Sequence, residues 1–152
     1  MIKVQEAPFD PAAELNALKA RAPGSGATVV FIGTVRELSE GRAISAMTLE
    51  HYPGMTERAL KEIEAEAVRR WPLDDVLMIH RHGRLEPGED IVLVITRSAH
   101  RQAAFEACAF LMDWLKTKAP FWKIEADAGG ERWVEARDRD EEAAARWRRR
   151  TS

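Results

Sequence analysis

The sequence predicts an α+β or α/β domain in which helices pack on mixed, largely antiparallel sheets. Three observations carry this expectation. Runs of strand length rich in β-branched residues are interspersed with helical patterns in no regular βαβ order. Two long segments carry full apolar stripes at helical spacing. The connections between strand candidates are short or cross over irregularly, which favours antiparallel pairing. At 152 residues the chain reads as one domain over 1–152, long enough to bury a core, with a charged tail from about 138.

In order, Met1 to Gln5 is a short edge-strand candidate. Asp10 reads as an N-cap with Pro11 at the first helical position, and that helix runs to about Ala22 before Pro23-Gly24. Gly26 to Arg36, GATVVFIGTVR, is a strand, with Gly33 marking a bulge or a close backbone approach. Glu37 to Arg42 is a polar loop, and Ala43 to His51 is a second alternating strand that Pro53-Gly54 breaks. A helix from Thr56 or a neighbour to Arg70 carries Ala59, Leu60, Ile63, Ala67 and Val68 on one stripe. Asp75 to His82 and Ile91 to Arg97 are strands joined through the Pro87-Gly88 turn. Ser98 is the expected N-cap of the longest helix, which runs to about Lys118 and is stopped by Pro120. Its stripe is Ala104, Phe105, Cys108, Leu111, Met112 and Leu115. Phe121 to Ala126 and Arg132 to Ala136 form a hairpin over Gly129-Gly130. In the tail, Trp147 is the candidate anchor.

Composition excludes several classes. Hydrophobic residues make up 45% and charged residues 32%, so the chain is globular rather than disordered. A net charge of −2 argues against a polyanion binder and confines any anion site to a local cluster. The single cysteine, Cys108, rules out an internal disulfide and a multi-cysteine metal site, and fits a reducing compartment. The N-terminal residues show no apolar signal region, and no apolar run approaches the ~18 residues of a membrane span. A cytoplasmic protein is expected, and no Walker or dinucleotide glycine motif occurs.

The stretch Lys116-Thr-Lys-Ala-Pro-Phe-Trp-Lys123 is the most unusual. Three lysines flank a proline and two aromatics at a helix-to-strand junction. A solvated helix end, its cations opposing the C-terminal dipole, is one reading. The other has Phe121 and Trp122 burying the junction and holding Lys116 and Lys123 at a partly desolvated wall, where a lysine serves as acid, base or nucleophile. His100 and Arg101 fall in the first turn of the long helix. That is either an anion site beside free N–H groups or a surface turn with incidental charge. Arg36 closes its strand as a third cation. Glu50 and His51 are adjacent in a strand and point to opposite faces, which disfavours a metal. His80 and His82 share a face but lack a third ligand nearby, so a structural or surface role is expected and no metal site. Met112 reads as core within reach of a ligand one turn before Lys116, and Cys108 as buried rather than nucleophilic.

FIGTVR (Phe31 to Arg36), LEHYPGMTE (Leu49 to Glu57), SAHR (Ser98 to Arg101), FLMDWLKTKAPFWK (Phe110 to Lys123) and RWVEAR (Arg132 to Arg137) together resemble the large, catalytic subunit of molybdopterin synthase, the MoaE family. The segments stand in the family's order across most of the chain. LEHYPGMTE and the KT-x-APFWK pattern are specific, whereas GTVR is weak alone. The resemblance implies an α/β hammerhead fold with an added small antiparallel β subdomain. It also implies a homodimer that binds a small ubiquitin-like sulfur carrier at each end, a heterotetramer in all. The carrier's C-terminal Gly-Gly thiocarboxylate would enter the active site, and two sulfurs would convert cyclic pyranopterin monophosphate to molybdopterin. By position, Lys116 and Lys123 match the family's catalytic lysines. Arg36, His100, Arg101 and Arg137 match its phosphate and pterin contacts, and Phe31, Thr34, Val35, Met112 and Glu125 match positions lining the pocket. Lys118 stands where arginine is usual and Ile124 where a basic residue is common, which bears on local charge and partner fit.

That reaction needs cations to hold the phosphate and stabilise charge on a leaving oxygen, and a proton donor or acceptor for the acyl–sulfur steps. No cofactor or metal is expected, and because the sulfur comes from the partner, Cys108 need not act. Two rivals remain at this point. One is a single-stranded nucleic-acid module stacking bases on Phe121 and Trp122. The other is a catalytically idle scaffold for a ubiquitin-like protein. His100 and Lys116 lie sixteen positions apart on one helix, about 24 Å along its axis at 1.5 Å per residue. A shared site between two copies of the chain is therefore expected.

Overall fold

The structure is a computed structural model. It describes residues 1–39, 42–43, 46–127, 130–134 and 138–148, without the side chains of 38, 39, 42, 43, 122, 125–127, 132–134, 138 and 139.

The first sheet has the order β1-β6-β8-β2. Its strands are β1 (Ile2–Gln5), β2 (Ala27–Thr34), β6 (Leu73–Arg81) and β8 (Asp90–Ser98). β1 pairs parallel to β6, and the other two pairings are antiparallel. The central strands β6 and β8 are buried on both faces, which explains their near-continuous apolar runs. Val76, Met78, Val92 and Val94 pack on one side with the helices α2 (Met55–Arg70) and α3 (Arg101–Lys118). Leu77, Ile79, Leu93 and Ile95 face the other way, against Leu18 of α1 (Pro11–Arg21).

The second sheet is wholly antiparallel, in the order β10-β9-β5-β7. It comprises β5 (Ala46–His51), β7 (Gly83–Leu85), β9 (Phe121–Asp127) and β10 (Gly130–Val134). A two-stranded ribbon, β3 (Leu38–Ser39) with β4 (Arg42–Ala43), leads into it. The expected polar loop at Glu37 to Arg42 is thus partly paired.

Capping follows the local chemistry at α1, where the Asp10 carboxylate accepts from the Ala12 and Ala13 N–H groups at 3.0 and 3.3 Å. At α3 the expectation is corrected. Ser98 is the last residue of β8, paired with Ala27 and Leu73, and its hydroxyl donates to the Pro72 carbonyl at 2.8 Å. His100 occupies the cap position, without a side-chain capping bond. Two stripe residues also fall outside the core. Phe105 and Val68 are 61% and 53% exposed, while Phe110 and Ala107 are fully buried in α3.

The charged tail is a helix, α4 (Asp138–Arg148), and Trp147 anchors it. The indole is 3% exposed, with T-shaped contacts to Trp71 and Phe110 at 5.5 and 5.7 Å. Its Nε1 donates to Asp113 at 2.6 Å, and Arg70 donates to the Trp147 carbonyl at 2.8 Å. No helix among the described residues is long and apolar enough to cross a membrane.

Candidate active site

A cleft of about 340 Å³ lies where the two sheets meet the C-terminal end of α3. Its apolar wall includes Met47 and Leu49 of β5, Ile91 and Val92 of β8, and Met112 and Leu115 of α3. Its charged lining is Arg36, Lys116, Lys123 and Asp140. Among the described lining residues, three cations against one carboxylate make this a positive spot on a chain of net charge −2, suited to an anionic ligand.

The end of β2 enters the cleft because of Gly33. A Cβ there would sit 2.6 Å from Val92 Cγ1, so only glycine permits this approach of β2 to β8. The register slips between Gly33 and Thr34, as expected of a bulge, and redirects Thr34, Val35 and Arg36. Val35 is then pinned on both sides. Its N–H donates to the Glu89 carbonyl and its carbonyl accepts from Gly88 N–H, each at 2.9 Å. The Glu89 turn is held in turn by buried Arg81, whose guanidinium reaches Glu89 at 3.4 Å, the Asp90 carbonyl at 3.1 Å and the Glu6 carbonyl at 2.9 Å.

The junction of α3 and β9 separates the three lysines. Lys118 lies over the Trp114 ring at 4.6 Å, away from the cleft. Lys116 lines the cleft from the last turn of α3, and Lys123 lines it from β9, where it pairs with Leu49. The departure at Lys118 therefore falls outside the cleft.

Beside the lysines sits His80, whose spacing in the sequence suggests only a structural or surface role. Its ring stacks on Phe121 at 3.8 Å with 17° between planes, and it is 6% exposed. Nδ1 donates to the Arg81 carbonyl at 2.8 Å. Burial pushes its pKa down to about 3. The Arg81 carbonyl opposes that shift, and the Lys116 and Lys123 charges add to it. The imidazole is thus neutral, and its electrostatics register both lysines as neighbours. His82 follows just after β6, which ends at Arg81, and its ring lies 4.2 Å from His51, whose own ring is 6.1 Å from Phe121 and whose pKa burial and His82 push down. The one signal for His80 in the sequence was its place at the end of the buried VLMIH run.

Of the expected site residues, Phe31, Thr34, Val35, Arg36, Met112, Lys116 and Lys123 converge on the cleft. His100 and Arg101 do not. Both are exposed at the far end of α3, about 22–24 Å from Lys116 along the axis at 1.5 Å per residue. Glu125 stands in β9 opposite Met47, with its side chain not described, and Arg137 lies outside the described residues. Cys108 is in the core, and burial pushes its thiol up to about 11, a poor nucleophile.

The family described as MoaE protein matches residues 4–118. A molybdopterin synthase catalytic subunit of Pseudomonas aeruginosa is 61% identical over 146 residues, covering 96% of this chain and 97% of the relative. One from Ralstonia nicotianae is 57% identical, covering 96% of this chain and 83% of the relative. Among solved structures, the molybdopterin biosynthesis MoaE protein from Burkholderia ambifaria superimposes with a TM-score of 0.83 at 55% identity, covering 97% of both chains.

Proposed function

Because this chain belongs to the MoaE protein family, we propose that its cleft is the active site of a molybdopterin synthase catalytic subunit. Its function is sulfur transfer in molybdenum cofactor biosynthesis, and the relatives' name of catalytic subunit supports a partner subunit beside it. In our reading the substrate is cyclic pyranopterin monophosphate. The sulfur arrives as the thiocarboxylate at the Gly-Gly end of a ubiquitin-like carrier. The observation that carries this is the convergence of Arg36, Lys116 and Lys123 on one cleft with an apolar wall.

Each transfer forms a carbon–sulfur bond on the pterin side chain and breaks the acyl–sulfur bond of the carrier, whose acyl carbon takes a water oxygen and leaves as a carboxylate. Negative charge develops on the cyclic phosphate as it opens, and preorganised cations stabilise such charge best in a partly desolvated cleft. Lys116 is the reacting-centre residue, by acid–base chemistry or by contact with the thiocarboxylate, and Lys123 assists electrostatically. Arg36 grips phosphate, with Phe31, Thr34, Val35 and Met112 shaping the pocket. Glu125 and Arg137 belong to the same site by their family positions.

His100 and Arg101 complete the phosphate grip from a second copy of the chain. Support comes from exposed apolar side chains on α3 and the edge strand β2. Phe105 and Phe31 are 61% and 38% exposed on the α3 side of the first sheet, and Val30 and Ile32 are 39% and 41% exposed on the other face of β2. An isologous interface of this kind brings the start of one α3 towards the end of another. Against a nucleic-acid platform, one face of Phe121 is already covered by His80.

The test is reconstitution. The pure chain, thiocarboxylated carrier and cyclic pyranopterin monophosphate should together yield the dithiolene, and omission of any one should abolish it. No dithiolene from the complete mixture would overturn the reading.

A further inference from the structure

The Arg81 carbonyl that receives the Nδ1–H of His80 can only accept, so Nδ1 carries the proton and Nε2 the lone pair. Nε2 makes no hydrogen bond with any described residue, yet it is not among the sealed and unsatisfied atoms. Since His80 lines the cleft, Nε2 opens onto it. The ring is also fixed in plane by its stack on Phe121. It comes from the first sheet, whereas Phe121 and Lys123 come from the second and Lys116 from α3.

This is an unusual group to bury among cations. Arg36, Lys116 and Lys123 offer only donors when charged. A heterocycle carrying ring N–H groups, bound among them, needs a fixed acceptor or loses hydrogen bonds it had in water. Among the described lining residues, Thr34 is exposed and Asp140 is a half-buried carboxylate on the final helix. His80 is buried and rigid. Its depressed basicity keeps the lone pair available at neutral pH without drawing a proton away from the reacting groups.

We propose that His80 is a specificity-determining residue of the cleft, whose Nε2 accepts a hydrogen bond from a ring N–H of the bound heterocycle while the cations hold its anionic group. This rests on the cleft being the pterin site. His80→Phe keeps the aromatic stack and removes the acceptor, whereas His80→Gln restores an acceptor oxygen. In the reconstituted assay His80→Phe should raise KM for the cyclic pterin roughly tenfold, with kcat changed less than about threefold. His80→Gln should recover most of that loss. A purely structural histidine would instead give a lowered melting temperature and lowered kcat with KM unmoved, and that result overturns the proposal.

If His80→Phe does not fold, nitrogen-15 correlation spectra of the wild-type imidazole decide the matter. The free protein should show the Nδ1-protonated tautomer. Cyclic pyranopterin monophosphate should move the Nε2 resonance, and inorganic phosphate alone should not. An Nε2-protonated tautomer, or an Nε2 signal that the pterin leaves in place, overturns the proposal. Wild-type turnover in the same series separates the two claims. Its absence overturns the active-site reading, and its presence with an unmoved KM in His80→Phe overturns only the role of His80.

Discussion

Two inactive chains should restore each other's activity if the site is shared. The perturbation is a mixture of Lys116→Ala with Arg101→Ala, residues at opposite ends of α3. They lie fifteen positions apart, about 22 Å at 1.5 Å per residue, which is beyond the reach of one pterin phosphate. Each single variant, as a homodimer, lacks one component in both of its sites. In a mixed dimer the losses segregate, so that one site carries both defects and the other carries none. With free subunit exchange at equal concentrations, about half of the dimers are mixed, and each has one intact site of two. The mixture should therefore reach about one quarter of wild-type activity per subunit. The assay is dithiolene formation before and after co-incubation, with exchange followed independently by mass spectrometry of a labelled chain. If exchange proceeds and activity stays at the level of the separate variants, His100 and Arg101 do not act across the interface.

Three further outcomes follow from the packing and the charges. Cys108→Ser should keep near-normal turnover with a modest fall in melting temperature, because the thiol is buried and its basicity raised. A folded but inactive variant would demand a sulfur relay through it. Trp147→Ala removes a 3%-exposed indole and its bond to Asp113. It should destabilise by about 3–5 kcal/mol in denaturant melts, and a loss under about 1 kcal/mol would mean that α4 is not part of the cooperative unit. His80 is neutral when folded down to about pH 3 but ionises near its ordinary value when unfolded. Its contribution is therefore intact above about pH 6.5 and lost as pH falls towards 3. Stability of the wild type relative to His80→Phe should drop with acidification by up to about 1.4 kcal/mol per pH unit, and parallel curves would contradict the buried neutral state.

The sequence was informative where local chemistry and tertiary structure agree. Asp10-Pro11 caps α1 through contacts within three residues, and Gly33 marks its bulge because no side chain fits against Val92. The lysine pair around Pro120 was legible because a helix stop places Lys116 and Lys123 on either side of one corner. What could not be read depends on distant partners. Gly83 to Leu85 is too short to declare itself and becomes β7 because β5 offers an edge to pair with. The helix α4 lacks a full apolar stripe and forms around Trp147, whose pocket is built by Trp71, Phe110 and Asp113. Ser98 had the chemistry of a cap but is held two residues early by its ladder partners. His80 and His82 look alike by spacing, and the rings they meet, Phe121 and His51, come from β9 and β5, too distant in the chain to be read locally.

Lys116→Ala, in single-turnover reaction with thiocarboxylated carrier and cyclic pyranopterin monophosphate, tests the central claim most directly. Lys116 lines the cleft from the last turn of α3, and truncating a side chain at a helix end leaves the core intact. The account predicts that dithiolene formation disappears while the melting temperature and carrier binding stay close to wild type. Near-normal product formation by a Lys116→Ala chain would contradict the assignment of this cleft as the site of sulfur transfer.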